Sequence, residues 1–119
     1  MKAQLKEILE TQNFNDLKYY EPDNPNYFSV GISMLIGEWG QEHGEIFYAQ
    51  ICSFDWFCVL KGKQKTFHTR DMIVMERYDY QSIKNHLTRI IAMYDEADWQ
   101  SLATQLNKHF VWEFDDYQE

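Results

Sequence analysis

Phe28-Ser29-Val30-Gly31-Ile32-Ser33-Met34-Leu35-Ile36, followed after Gly37–Gly44 by Ile46-Phe47-Tyr48-Ala49-Gln50-Ile51-Cys52, decides the fold. In the first run Phe28, Val30, Ile32, Met34 and Ile36 alternate with Ser29, Gly31, Ser33 and Leu35. Period two over such a stretch is the pattern of a strand with one buried face. The second run repeats it, with Phe47, Ala49 and Ile51 on one side and Ile46, Tyr48 and Gln50 on the other. Between them Gly37-Glu38-Trp39-Gly40-Gln41-Glu42-His43-Gly44 reads as a loop with glycines free to take positive φ. The two runs therefore predict an antiparallel hairpin.

Outward from the hairpin, the pattern changes. Toward the N-terminus, Pro22-Asp23-Asn24-Pro25-Asn26 is a turn cluster, because proline fixes φ and Asx side chains bond the nearby backbone. Residues 14–20 follow no clean period, and residues 3–9 fit either a short strand or one helical turn. Toward the C-terminus, Trp56 to Leu60 reads as further sheet beyond a bend at Asp55, and Met72-Ile73-Val74-Met75 as a short buried strand. Tyr80, Ile83, Leu87, Ile90, Ile91 and Tyr94 then recur at three- and four-residue spacing, the stripe of a helix packed on a core. Trp99, Leu102, Ala103, Leu106 and Phe110 repeat it. Asp79 and Asp98 stand where N-caps belong. At the end of the chain Phe110, Trp112 and Phe114 alternate with acids, predicting a strand with Glu113 and Asp115 turned to water. The expected fold class is α+β: a twisted antiparallel sheet of roughly four to six strands, a two-helix hairpin on one face, a C-terminal strand returning to the sheet, and a partly open opposite face.

Composition narrows the function. A chain of 119 residues is one domain by size, 1–119, able to bury a core without disulfides or metal. Aromatics are 17% of it, so many rings must find a core or an interface. The net charge is −8, which argues against a nucleic-acid or anionic-membrane surface, since Lys and Arg supply affinity for both. Residues 95–119 hold seven acids (Asp95, Glu96, Asp98, Glu113, Asp115, Asp116, Glu119) against one base, Lys108, a local balance of −6. Electrostatic steering toward a positively charged macromolecule is one reading of that asymmetry; an ordinary solvated face is the other. Lys61, Lys63, Lys65 and Arg70 form an acid-free stretch around Phe67 and His68, read as a charged connection that discourages edge pairing rather than as a phosphate contact. No apolar run follows Met1 and none approaches a membrane span, so a cytoplasmic location is expected.

Catalytic and metal constellations are absent from the sequence. His43, His68, His86 and His109 include no helical i, i+4 pair, and neither HExxH nor CxxC occurs. Cys52 and Cys58 lie beside Ile51 and Val59, an apolar context that raises a thiol pKa. Ser29, Ser33 and Ser53 lack a nucleophile elbow, and no glycine-rich phosphate loop is present. Asp115 and Asp116 are adjacent, so on a strand they cannot share a proton. No cofactor and no enzymatic activity are expected. Trp39, a large ring in a polar loop, reads either as an interface anchor or as a ring folded over the sheet end.

The ordered set of motifs resembles one family. Trp112-Glu113-Phe114 with Tyr117 beyond it, Asp23, Ile36-Gly37, Gly44 and Phe47, Cys52 and Trp56, Arg77-Tyr78-Asp79, and Trp99 with Leu102 together resemble the immunity protein 8 family of bacterial polymorphic toxin and contact-dependent inhibition systems. The resemblance implies a small α+β antidote encoded beside a toxin, binding that toxin's C-terminal domain without any activity of its own. The basic stretch after Cys58 matches nothing in that pattern. Charge and resemblance converge on a basic toxin such as a nuclease, with Glu113, Asp115, Asp116, Asp95, Glu96 and Asp98 as the charged contact and Trp39 or Tyr117 as anchor. Two rival readings stand beside it. One is a small-ligand-binding or hydrolytic domain with a pocket between sheet and helices; the other is a homodimer or larger homo-oligomer joined at a sheet edge.

Overall fold

A computed structural model of the chain describes residues 1–63, 66 and 70–114. Its strands and helices run in the order β1 (Ala3–Glu10), a 3₁₀ turn (Leu17–Tyr19), β2 (Ser29–Glu38), β3 (Glu45–Ser53), α1 (Phe54–Gly62), β4 (Met72–Met75), α2 (Tyr80–Ile91), α3 (Trp99–Leu106) and β5 (Val111–Trp112). The fold is α+β, with the five strands in one sheet of order β1-β2-β3-β4 and β5 also paired to β3.

The central hairpin has the expected faces. Met34 pairs with Phe47, and Ile32 with Ala49; Val30, Ile32, Met34, Ile36, Phe47, Ala49 and Ile51 are all buried. β1 joins β2 antiparallel with a bulge between Leu5 and Glu7. The bulge lets Leu5, opposite Ile36, and Ile8, opposite Met34, face the same core although their numbers differ in parity. Ile83, Leu87 and Ile91 of α2 and Leu102, Ala103 and Leu106 of α3 close that core from one side. Asp79 and Asp98 cap these helices, accepting hydrogen bonds from the Ser82 and Ser101 N–H groups. The opposite face stays partly open: Leu35 pairs with Ile46, and Ser33 with Tyr48, while Tyr48 also pairs with Val111 and is 41% exposed.

Three expectations need correction. Trp56 to Leu60 is not sheet but part of α1, so the described residues hold three α-helices rather than two. Ser53 starts this helix: its Oγ accepts hydrogen bonds from the Trp56 N–H and the Phe28 N–H, each at 3.2 Å. A short apolar run cannot be told from a strand by period alone, so the cap decides it. Because α1 carries the chain back across the sheet, β4 pairs with β3 in parallel, and the sheet is not wholly antiparallel.

The C-terminal strand does return to the sheet, but it is only Val111–Trp112. Phe110 and Trp112 are buried as expected, whereas Phe114 is 39% exposed. Glu113 still gives its N–H to the Ile46 carbonyl (3.0 Å), but the Ile46 N–H bonds the Glu113 carboxylate (3.1 Å) in place of a backbone carbonyl, and there the ladder stops. Asp115, Asp116, Tyr117 and Glu119, like Lys65, Phe67 and His68, lie outside the described residues.

Candidate functional site

The site grows from the neck of the β2–β3 hairpin. A Cβ on Gly37 would stand 2.2 Å from the His43 carbonyl oxygen, and one on Gly44 2.6 Å from that of Ile36. Only glycine at both positions lets the two backbones approach so closely. Past the neck, Gly40 takes φ +84° and carries the loop round. Trp39 stands at this tip 66% exposed, so the open reading of its ring resolves toward solvent.

Backbone hydrogen bonds tie the α2–α3 turn to the same end of the sheet. The Trp39 N–H donates to the Lys2 carbonyl at 2.9 Å, and the Glu96 N–H donates to the Met1 carbonyl at 3.0 Å. The Met1 α-amino group donates to Asp95 Oδ1 and to the Glu96 carbonyl, both at 2.8 Å. That ammonium, by hydrogen bond and by charge, holds the Asp95 carboxyl below its ordinary range. Asp98 follows in the same turn. Its bonds from Ser101 lower its pKa as well.

Beneath the turn lies an aromatic row anchored on one carboxylate. Glu45 Oε1 accepts the Trp99 indole N–H at 2.5 Å and the Trp112 indole N–H at 3.0 Å. Phe47 stacks on Trp112 with centroids 6.2 Å apart and meets Trp99 edge-on at 6.5 Å. Phe114 meets the outer side of Trp112 edge-on at 6.0 Å. Glu45, beside Gly44 at the start of β3, thus pins the first turn of α3 and the short β5 to one strand. Between the hairpin neck and Trp99 a cleft of about 300 Å³ opens, lined by Gly37, Glu38, His43, Gly44, Glu45 and Trp99.

The described residues singled out in the sequence therefore come together: Trp39, Asp95, Glu96, Asp98 and Glu113 all connect to this end of the sheet. Several also carry structural work, Asp98 as a cap and Glu113 as a clasp on Ile46. Sequence reasoning missed Glu38, His43 and Glu45 as site residues; Trp99, read as core, does pack against the core and also lines the cleft. The indole bonds to Glu45 span sequence separations of 54 and 67 residues, and no local pattern announces them. Among the described residues no group of His, Cys, Asp and Glu is placed to hold a metal ion. Cys52 is buried, which raises its thiol pKa, whereas Cys58 is exposed. No described helix is long and apolar enough to cross a membrane.

Fold and site define a small α+β protein whose distinctive surface is the hairpin end of the sheet. A family model described as immunity protein 8 matches residues 3–117. The chain belongs to that family, and its class is that of an immunity protein directed against a toxin. No curated protein and no solved structure matches it.

Proposed function

We propose that this protein neutralises its toxin by direct binding, with no reaction of its own, through the acidic hairpin end. The partner is a positively charged toxin C-terminal domain, a nuclease in the simplest case, since a cleft built for a polyanion is basic. The observation that carries this reading is the convergence of Trp39, Asp95, Glu96, Asp98 and Glu113 on one end of the sheet, in a chain of net charge −8. Glu38 and Glu42 of the hairpin add exposed carboxylates there. An exposed indole on the same end of the sheet as these acids suits an interface anchor with a charged surround, which speeds encounter with a cation-rich face. Asp115, Asp116 and Tyr117, singled out by sequence alone, are included in the contact in this proposal, and the protein works in the cytoplasm of the cell that makes the toxin.

The test is calorimetry with the toxin domain encoded beside this gene. Wild-type protein should bind it one to one, with affinity falling steeply as salt rises. The set Glu42→Lys, Asp115→Lys and Asp116→Lys should weaken binding by about tenfold or more and flatten the salt dependence. Binding unaltered in strength and in salt response would remove the acidic end from the interface.

A further inference from the structure

Among the described residues, the Glu45 carboxylate is held by one of its two oxygens. Both indoles donate to Oε1. Among the described residues, no hydrogen bond reaches Oε2 and no cation pairs with Glu45. Lys6, which flanks the hairpin neck, is engaged by Gln4 Oε1 and the Gln41 carbonyl. So a charged group is fixed by two neutral donors at the wall of a cleft of about 300 Å³. That space is roughly ten water volumes, enough for the end of a long side chain. A second carboxylate, Glu38, the His43 imidazole, Trp99 and the bare backbone of Gly37 and Gly44 complete the walls.

We infer that this cleft is a receptor for one arginine side chain of the partner; the toxin as its source rests on the function proposed above, whereas the chemistry of the cleft does not. A guanidinium is planar, carries a fork of N–H donors that matches carboxylate oxygens, and stacks on an indole. Glu45 Oε2 and Glu38 supply acceptors, and Trp99 supplies the aromatic wall. Lysine, a compact and strongly hydrated point charge, lacks the fork and the planar stacking and fits less well. The two indole bonds fix the carboxylate before binding, so little side-chain freedom is lost when the cation arrives.

Two measurements on the full chain test this. In the first, the indole N–H signals of Trp99 and Trp112 are followed by NMR while N-acetyl-arginine amide is added, with the uncharged citrulline analogue as control. Wild type should show saturable shifts with arginine, a Kd on the order of 10 mM, and none with citrulline. Glu45→Gln keeps a carbonyl oxygen for the indoles and should lose the response at least about fivefold. If that variant does not fold, Glu38→Gln carries the test, with a partial loss expected. No saturable shift, equal shifts with citrulline, or a variant that titrates like wild type would overturn the cleft as an arginine receptor. In the second, the adjacent toxin domain should bind Glu45→Gln about 10- to 100-fold more weakly than wild type. Equal affinity would overturn the toxin contact. Arginine binding by a wild type that ignores the toxin would sink the toxin as the source and leave the receptor chemistry standing.

Discussion

Trp99 and Glu45, 54 residues apart, are joined by an indole hydrogen bond of 2.5 Å, and that bond holds α3 against β3. The same oxygen also accepts from Trp112, a residue 4% exposed. Replacing Glu45 by Ala leaves two indole donors without their acceptor. The expected destabilisation is about 1–3 kcal/mol, read as a lower urea midpoint with an unchanged m-value. Glu45→Gln should cost less than half of that. Equal losses for the two variants would mean that the charge, and not the acceptor, secures the clamp.

Ser53 is a second joint. Its fully buried hydroxyl accepts from the backbone of both Trp56 and Phe28. Ser53→Ala removes the α1 cap and orphans a buried N–H at the start of β2. A loss of about 2–3 kcal/mol is expected in equilibrium unfolding. Ser53→Thr should retain most of the stability if its methyl is accommodated; a loss as large as alanine's would point to packing rather than hydrogen bonding.

The hairpin glycines should separate cleanly. Gly37→Ala drives a Cβ to 2.2 Å from the backbone oxygen of His43, which cannot move without opening the neck. The expected cost is about 2–4 kcal/mol, with the cleft beside it distorted and toxin binding impaired. Gly40→Ala meets nothing within 4 Å and carries only the strain of φ +84°, about 1 kcal/mol. Thermal melts of the two variants decide this, and similar melting points would contradict the close-approach argument.

Alkaline pH gives a further check. Tyr78 meets Tyr20 and Phe28 edge-on. Burial first, and then the nearby Tyr20, Tyr80 and Asp79, push its pKa up to about 12 from the ordinary value of 10.0. In that window the unfolded chain has lost the phenolic proton and the folded chain keeps it. Stability is therefore fully present below the unfolded pKa and declines as pH rises from 10 toward 12. Denaturation midpoints measured across this range should fall in wild type and fall less in Tyr78→Phe. Tyr20 and Tyr80 are shifted in the same direction, so part of the slope should persist. Identical slopes would exclude Tyr78 as a contributor.

Where period and cap agree, the residues could be read directly. The alternation from Phe28 to Ile36 and from Ile46 to Cys52, the stripe through Ile83, Leu87 and Ile91, and the caps at Asp79 and Asp98 all reappear in the fold. The miss at Trp56 to Leu60 arose because five apolar-rich residues have no decisive period, while the cap at Ser53 lay outside the run being read. Phe114 looked like core because alternation assumes that a strand continues, and here the Glu113 carboxylate takes the Ile46 N–H and ends it.

The linear order of residues was enough to set the α+β class, the central hairpin, the helical caps and the excess of acid toward the C-terminus. These depend on side-chain periodicity, on short-range hydrogen bonding and on charge counting, all of which act over a few residues. The hairpin end became a place only on folding, when Trp39, the α2–α3 turn and the Glu45 clamp met. Hydrogen bonds reaching across more than fifty residues and two backbones closing at Gly37 and Gly44 leave no periodic trace along the chain, because nothing local requires them.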